Sequence, residues 1–342
     1  MQNKKPLIKK PNKFLKVLKW IGIIIAALLV FGFISEQILE FVDRETVLKN
    51  PPGQMMQVGD RRMHIYCTGE NKNGSPTVIL ESGGGAIYTT WYKVQPEISK
   101  YTKVCSYDRA GYGFSDAAND ARTNLDIDND LSNLLAVANI EQPYILVGHS
   151  EGAKHARIFT SRHMSEMKGL VLVDSEVDEE QQIFQNEDQA IKNLPLSQKI
   201  IMKFFGTTMN LGPYVGLSRL ALWINPEATY GVARGDKIGT AFSSLPMSKQ
   251  YRNKNQSEEE DFALTVEARN FGNLPLRVLY ENDPFASAQM DPLLGGPGMG
   301  VKTHLNEATF STNSKATLVP NSGHYIQIDQ PQYVIDAIKE LL

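Results

Sequence analysis

The stretch ILVGHSEGAKHAR, Ile145 to Arg157, constrains the fold more than any other part of the sequence. An apolar run typical of a buried strand passes through Gly-His-Ser-Glu-Gly directly into helix-forming sequence, so the chain must turn sharply without a loop. Gly148 and Gly152 flank Ser150, where larger side chains would collide across such a turn. The residue at the apex is forced into an uncommon backbone conformation, with its side chain exposed. A serine held in this way is typical of a nucleophile, although a glycine pair around a serine also arises by chance.

Strand-like runs and helical stretches alternate through most of the chain. The run YILVG is followed by a helical stretch and by GLVLVDS, and it is preceded by RMHIYCTG, SPTVILESGGG and KVCSYDRAGYG. Alternation of this kind predicts a mostly parallel α/β sheet. It stops at Ser175 and resumes at LPLRVLYENDPF. The residues between are therefore predicted to form an insertion that is mainly helical.

Three polar residues follow predicted strands at positions where a hydrolytic site can form. Ser150 follows YILVGH, Asp283 follows LRVLYEN, and His324 follows ATLVPNSG. Because the carboxyl ends of parallel strands meet at one edge of a sheet, these side chains are expected to converge. A serine hydroxyl is a weak nucleophile at neutral pH and needs a base beside it and an acid that orients the base. The sequence therefore predicts Ser150 as the nucleophile, His324 as the base and Asp283 as the acid.

The order of these residues, together with six short motifs, resembles the α/β-hydrolase-fold serine hydrolases. The motifs are ESGGG…W, DRAGYGFSD, GHSEG, LVLVDS, ENDP and SGHY, and the chain order Ser, Asp, His is that of the family. The resemblance runs from about Met55 to Leu342. It implies an α/β-hydrolase fold with helices on both faces of the sheet. The core would have two parts, 54–177 and 271–342, and the insertion 178–270 would form a helical cap over the catalytic edge.

The family also implies an oxyanion hole made of two backbone N–H groups. One belongs to the residue after the nucleophile, here Glu151, and the other to the loop after the third strand, here Ser82-Gly83-Gly84. Gly84 is therefore the expected second donor. Relatives commonly have histidine where this chain has Ser82, and many have glycine where it has Ala153. Neither departure removes a backbone donor.

Asp174 is the alternative to Asp283 as the acid. It also ends a predicted strand, and some relatives place the triad acid there. Asp108 and Arg109, in the stretch DRAGYGFSD, are expected to fix a loop through hydrogen bonds rather than to act in catalysis.

An apolar segment near the amino terminus predicts a membrane anchor. The first 19 residues carry seven lysines and no acid, and VLKWIGIIIAALLVFGFIS, Val17 to Ser35, overlaps their end. Nineteen helical residues span about 28 Å, close to the thickness of a bilayer's hydrocarbon core. We therefore expect a basic cytoplasmic tail (1–16), a transmembrane anchor in the cell membrane (17–35), a stalk (36–53) and a domain outside the cytoplasm. A cleaved signal peptide is the main alternative, although no A-x-A-like site follows the apolar core. A buried core helix is a third, disfavoured by the lysines.

Composition restricts the other possibilities. A net charge of −3 offers no basic excess for nucleic acid, and the sequence gives no reason to expect a cofactor or metal. Two cysteines are too few for a disulfide scaffold or a zinc site. The family's strand order makes the strands of Cys67 and Cys105 neighbours, so the pair forms either one bridge or two buried thiols. His149 is expected to be structural, and no partner motif accompanies His64 or His304.

With the resemblance, these features imply a serine hydrolase that acts on ester or thioester bonds through an acyl-enzyme. The expected substrate is a lipophilic small molecule, because the insertion has many apolar residues between Ile200 and Asn225. These residues either line an acyl pocket or only bury the cap against the core. Acyltransferase, peptidase, lactonase, C–C bond hydrolase and haloperoxidase chemistries remain alternatives, as does a non-catalytic binding protein on the same fold. The sequence leaves the oligomeric state open.

Overall fold

The structure is a computed structural model with one large sheet as its frame. It describes residues 13–72, 74–118, 122–176, 211–225, 232–244, 258–281 and 298–342, together with Lys199 and Glu227. The strands are β1 (Gln54–Val58), β2 (Arg61–Thr68), β3 (Thr77–Glu81), β4 (Val104–Tyr107), β5 (Tyr144–His149), β6 (Met167–Val173), β7 (Leu276–Tyr280) and β8 (Ser314–Leu318). Their order across the sheet is β1-β2-β4-β3-β5-β6-β7-β8.

Most of the sheet is parallel, as the sequence predicts. β2 pairs antiparallel with β1 and with β4, and all pairs from β4 to β8 are parallel. Helices occupy most of the connections. They are α1 (Lys13–Thr46), α2 (Gln95–Ile98), α3 (Asn124–Val137), α4 (Glu151–Arg162), α5 (Leu217–Ile224), α6 (Lys237–Ser243), α7 (Glu258–Glu267), α8 (Met299–Glu307), α9 (Ile326–Asp329) and α10 (Pro331–Lys339).

The central strands are apolar because both faces of the sheet are covered. Every residue of β3 and β5 is buried, which explains why they occur in the sequence as continuous apolar runs rather than as alternating ones. On one face the sheet packs against side chains of α3 and α4, such as Leu134 and Phe159. On the other it packs against Trp91 and against Val334 and Ile338 of α10. The parallel strands therefore end together at one well-supported edge.

Helix α1 is longer than the predicted anchor. Lys16–Thr46 is long and apolar enough to cross a membrane, and its apolar side chains are exposed. The helix continues without interruption to Thr46, so the first part of the predicted stalk is helical.

Most of the described residues between β6 and β7 are helical. After a 3₁₀ turn, Gly212–Val215, they form α5, α6 and α7, and α7 packs against α3 and α4. Residues 200–210 of the apolar stretch lie outside the described residues. In the remainder Leu222 is buried, whereas Leu220 and Trp223 are exposed. Among the described residues, burial of the cap against the core therefore accounts for only part of this apolar stretch.

Cys67 and Cys105 form a disulfide. They lie directly opposite each other on the antiparallel strands β2 and β4, with their Cα atoms 4.0 Å apart. The structure thus gives the bridged form of the two that the sequence leaves open.

We expect the native protein to contain no free thiol, because this register holds the two cysteines against each other. Alkylation under denaturing conditions without reductant, followed by mass spectrometry, measures this. The bridge joins residues 38 positions apart in the sequence. A bridge that closes a loop of this length should contribute about 2–4 kcal/mol to the free energy of unfolding, and reductant should remove this contribution. The control is the double variant Cys67→Ser/Cys105→Ser, whose stability should not respond to reductant. Two alkylated thiols in the native protein would contradict the bridge.

Candidate functional site

Ser150 lies on a strained turn between β5 and α4. Its backbone angles are φ 53° and ψ −126°, a conformation that residues with a side chain rarely adopt. Gly148 and Gly152 make the turn possible. A Cβ on Gly148 would lie 2.5 Å from the carbonyl oxygen of Gly152, and one on Gly152 would lie 2.4 Å from that of Ser82. The two glycines therefore allow helix α4 to approach the ends of β5 and β3 closely at this turn.

The ends of β5 and β6 are joined next to Ser150. The N–H of Ser150 donates to the carbonyl of Val173, the last residue of β6, at 3.1 Å. Asp174 follows at once, with a positive φ of 45°. Its N–H donates to Leu279 at 2.8 Å, and its Oδ1 accepts from the N–H of Glu281 at 3.2 Å. Asp174 is thus held rigidly beside the serine turn.

The carboxylate of Asp174 binds the imidazole of His324. The distance from Asp174 Oδ2 to His324 Nδ1 is 2.6 Å, and the Asp174 side chain is buried while that of His324 is 49% exposed. Burial alone would raise the pKa of Asp174, but the hydrogen bond and charge of His324, with the charge of His304, lower it below its ordinary value. An ionised carboxylate on Nδ1 fixes the tautomer and orientation of the ring.

Asp283, the acid predicted from the sequence, lies outside the described residues. The carboxylate that meets His324 belongs to Asp174, the alternative. Both aspartates follow strands that end at the same edge of the sheet. The positions of the strands alone therefore do not decide which aspartate is the acid.

A second histidine, to which the sequence assigned no role, lies near the other carboxylate oxygen of Asp174. His304 on α8 has its Nε2 3.7 Å from Asp174 Oδ1 and its Nδ1 3.4 Å from Glu307 Oε2. Burial alone would lower the pKa of His304, but Glu307 and Asp174 outweigh burial and raise it. No local motif marks His304, because its partners lie far away in the sequence or one helical turn along.

His149 supports the loop of His324. Its Nε2 lies 2.9 Å from the His324 carbonyl oxygen, and the two rings are 4.6 Å apart. Since a carbonyl can only accept, Nε2 of His149 is the donor. Burial lowers the pKa of His149 to about 3, so its ring is neutral at pH 7. The expected structural role is therefore present, and it positions the backbone of the candidate base.

Arg109 holds the loop after β3 against the serine turn. Its guanidinium donates to the carbonyls of Ser82 and Gly83 and pairs with Glu81 and Glu151. This confirms that Arg109 fixes a loop through hydrogen bonds. With its carbonyls held by Arg109, the loop can present N–H groups to the serine.

The loop itself lies next to Ser150. A Cβ built on Gly83 would be 3.1 Å from Ser150 Cβ. Ser82, where relatives commonly have histidine, is buried and accepts a hydrogen bond from Trp91 Nε1 at 3.2 Å. Within the described part of the chain, no backbone carbonyl accepts from the N–H of Gly84. The N–H of Glu151, the first residue of α4, has no acceptor inside its own helix.

The described ranges contain no group of three or more His, Cys, Asp or Glu side chains arranged to hold a metal ion. At one edge of the sheet they place Ser150 on its strained turn, the bound pair of Asp174 and His324, and the loop that contains Gly83.

This chain is similar to other proteins in sequence over part of its length and in fold over most of it. An uncharacterised protein of Schizosaccharomyces pombe is 30% identical over 36% of this chain and 28% of its own length. The uncharacterised protein YbdG of Bacillus subtilis is 30% identical over 46% of this chain and 49% of its own. The match thus spans less than half of either relative. The enol-lactonase from Burkholderia xenovorans superposes with a TM-score of 0.54 at 15% identity, covering 84% of this chain and 99% of the enzyme.

The match to a family model covers the segment that contains the turn at Ser150. A model of the alpha/beta hydrolase fold family matches residues 76–261, more than half of the 342 residues. That segment includes β3, the loop Ser82-Gly83-Gly84, Ser150 and Asp174. This chain belongs to the alpha/beta hydrolase fold family.

Proposed function

We propose that this protein is a serine hydrolase that cleaves ester or thioester bonds of lipophilic small molecules, with Ser150, His324 and Asp174 as its triad. The observation that carries the proposal is the 2.6 Å contact between Asp174 and His324 at the sheet edge where Ser150 stands on its strained turn. Acyltransferase, peptidase, lactonase, C–C bond hydrolase and haloperoxidase activities, or binding without catalysis, use the same fold.

In the proposed mechanism Ser150, His324 and Asp174 act as nucleophile, base and acid. Ser150 Oγ attacks the substrate carbonyl carbon, and His324 takes the serine proton and passes it to the departing alcohol or thiol. The N–H groups of Glu151 and Gly84 stabilise the oxyanion of the tetrahedral intermediate. A water then gives a proton to His324 and attacks the acyl-enzyme, which releases the acid and restores Ser150. Asp174 stays ionised throughout and stabilises the imidazolium.

We also propose that α1 anchors the protein in the cell membrane, with its amino terminus in the cytoplasm and the catalytic domain outside. The lysine-rich residues before the apolar span support this orientation. The disulfide between Cys67 and Cys105 supports it independently, because such bonds persist outside the cytoplasm.

Replacing the nucleophile should abolish covalent chemistry. In Ser150→Ala, labelling by a fluorophosphonate probe should disappear and ester hydrolysis should fall by several orders of magnitude. The matched control is Ser161→Ala on the same helix, which should keep both. Unchanged hydrolysis by purified Ser150→Ala would remove the central claim.

Asp174→Asn should lower kcat about 10⁴-fold without unfolding the protein, because an amide no longer holds the reactive tautomer of His324. Asp283→Asn is the comparison, and it should change kcat little. Steady-state kinetics on one ester, with thermal unfolding of each variant, measures both. A large loss in Asp283→Asn together with a small loss in Asp174→Asn would return the acid to position 283.

A lipophilic substrate class predicts a dependence on acyl-chain length. Each buried methylene contributes about 0.8 kcal/mol, so kcat/KM for p-nitrophenyl esters should rise from acetate to chains of about six to ten carbons. A maximum at acetate, or a preference for charged esters, would count against lipophilic substrates while leaving the triad proposal intact.

A further inference from the structure

Helix α5 has an exposed apolar face. Ser218 and Leu222 are buried against the protein, whereas Leu217, Leu220, Trp223 and Ile224 are exposed, Trp223 to 77% and Ile224 to 62%. At about 100° per residue, the four exposed side chains fall within one arc of about 120°. Packing among the residues that the structure describes accounts for the buried side of this eight-residue helix but not for its exposed apolar side.

Ion pairs fix α5 to helix α1. Arg219 Nε lies 2.8 Å and 2.9 Å from the two carboxylate oxygens of Glu36, and its Nη2 lies 2.7 Å from Asp43 Oδ2. On α5 the exposed arc adjoins the side from which Arg219 projects. The apolar face therefore lies beside α1.

A close backbone contact fixes the height of α5 along α1. A Cβ on Gly32 would lie 2.5 Å from the carbonyl oxygen of Val215, in the 3₁₀ turn just before α5. Gly32 is within the predicted span 17–35, one turn from its end. The start of α5 is therefore level with the end of the segment expected to lie in the bilayer.

Helix α1 remains apolar on its outer side beyond the predicted span. Ile38, Phe41 and Val42 are exposed, whereas Glu36, which faces Arg219, is 3% exposed. The acidic side of α1 thus meets the cap, and the apolar side continues past α5.

We propose that the exposed face of α5, formed by Leu217, Leu220, Trp223 and Ile224, is inserted into the interfacial region of the bilayer that α1 spans. The inference rests on the membrane anchor proposed above. Lipid is the occupant that fits, because the Gly32 contact places this face at the depth where the bilayer meets water. Tryptophan is favoured at that depth, and short amphipathic helices bind there through their apolar side. Arg234 is exposed and lines, together with Trp223, a cavity of about 360 Å³. In the proposed orientation its guanidinium would bind lipid phosphates.

The test uses the full-length protein in phosphatidylcholine vesicles that contain lipids spin-labelled near the headgroup. Trp223→Cys and Ile224→Cys, each labelled with a bimane fluorophore, report on the α5 face, because the native cysteines are bridged. Lys100→Cys, an exposed site on the core, is the aqueous control, and Phe31→Cys reports on the anchor. Thermal unfolding confirms that each variant is folded.

Quenching of the α5 labels by spin-labelled lipid should be several-fold stronger than at Lys100→Cys, with matching protection from iodide in water. Iodide quenching equal to that at Lys100→Cys, with lipid quenching at Phe31→Cys intact, would overturn the inference and leave the anchor standing. Shielding of the α5 labels from both quenchers would overturn it in favour of a protein contact, such as a second copy of the chain. Loss of lipid quenching at Phe31→Cys would remove the anchor and the inference together, while probe labelling of Ser150 would still test the hydrolase proposal separately.

Discussion

The candidate site depends on how closely helix α4 approaches the end of strand β3. No side chain fits between them, since a Cβ on Gly152 would meet the carbonyl oxygens of Ser82 and Glu81 at 2.4 Å and 2.7 Å. Ser150 keeps its unfavourable backbone conformation because the surrounding sheet and helix leave it no alternative. The same approach brings Gly83 against Ser150, so the serine turn and the loop after β3 form one packed unit rather than two independent parts.

The sequence predicted this part of the molecule well because the physical requirements are local. A strand buried on both faces must be an apolar run, and a strand that enters a helix without a loop must have small residues on both sides of the apex. Local requirements of this kind did not decide which aspartate binds His324. Asp174 and Asp283 both follow strands, and either gives the chain order Ser, Asp, His. What brings Asp174 to His324 is a positive φ after β6 and a backbone hydrogen bond to β7, which depend on tertiary contacts.

The apolar insertion shows a second limit of sequence patterns. A helix face that packs against protein and one that packs against lipid both require apolar side chains, and hydrophobic periodicity does not distinguish them. Leu222 and Trp223 are neighbours in the sequence, yet one is buried in the cap and the other is 77% exposed. The contact between the cap and helix α1 joins segments almost two hundred residues apart in the sequence. This contact is what relates the exposed face of α5 to the proposed membrane span.

Arg219 connects the proposed anchor to the orientation of the catalytic domain. Glu36 and Asp43 are seven residues apart, which in a helix is about two turns on the same side. A guanidinium that meets both carboxylates therefore fixes α5 in rotation about α1 as well as in height, which a single ion pair would not do. Because α1 runs unbroken from the apolar span to Thr46, past its contact with α5, this rotation would set which side of the cap faces the proposed bilayer. An anchor joined by a flexible linker would hold the domain near the membrane without orienting it. If α1 spans the bilayer as proposed, the helix and Arg219 together would give the cap one preferred side toward lipid.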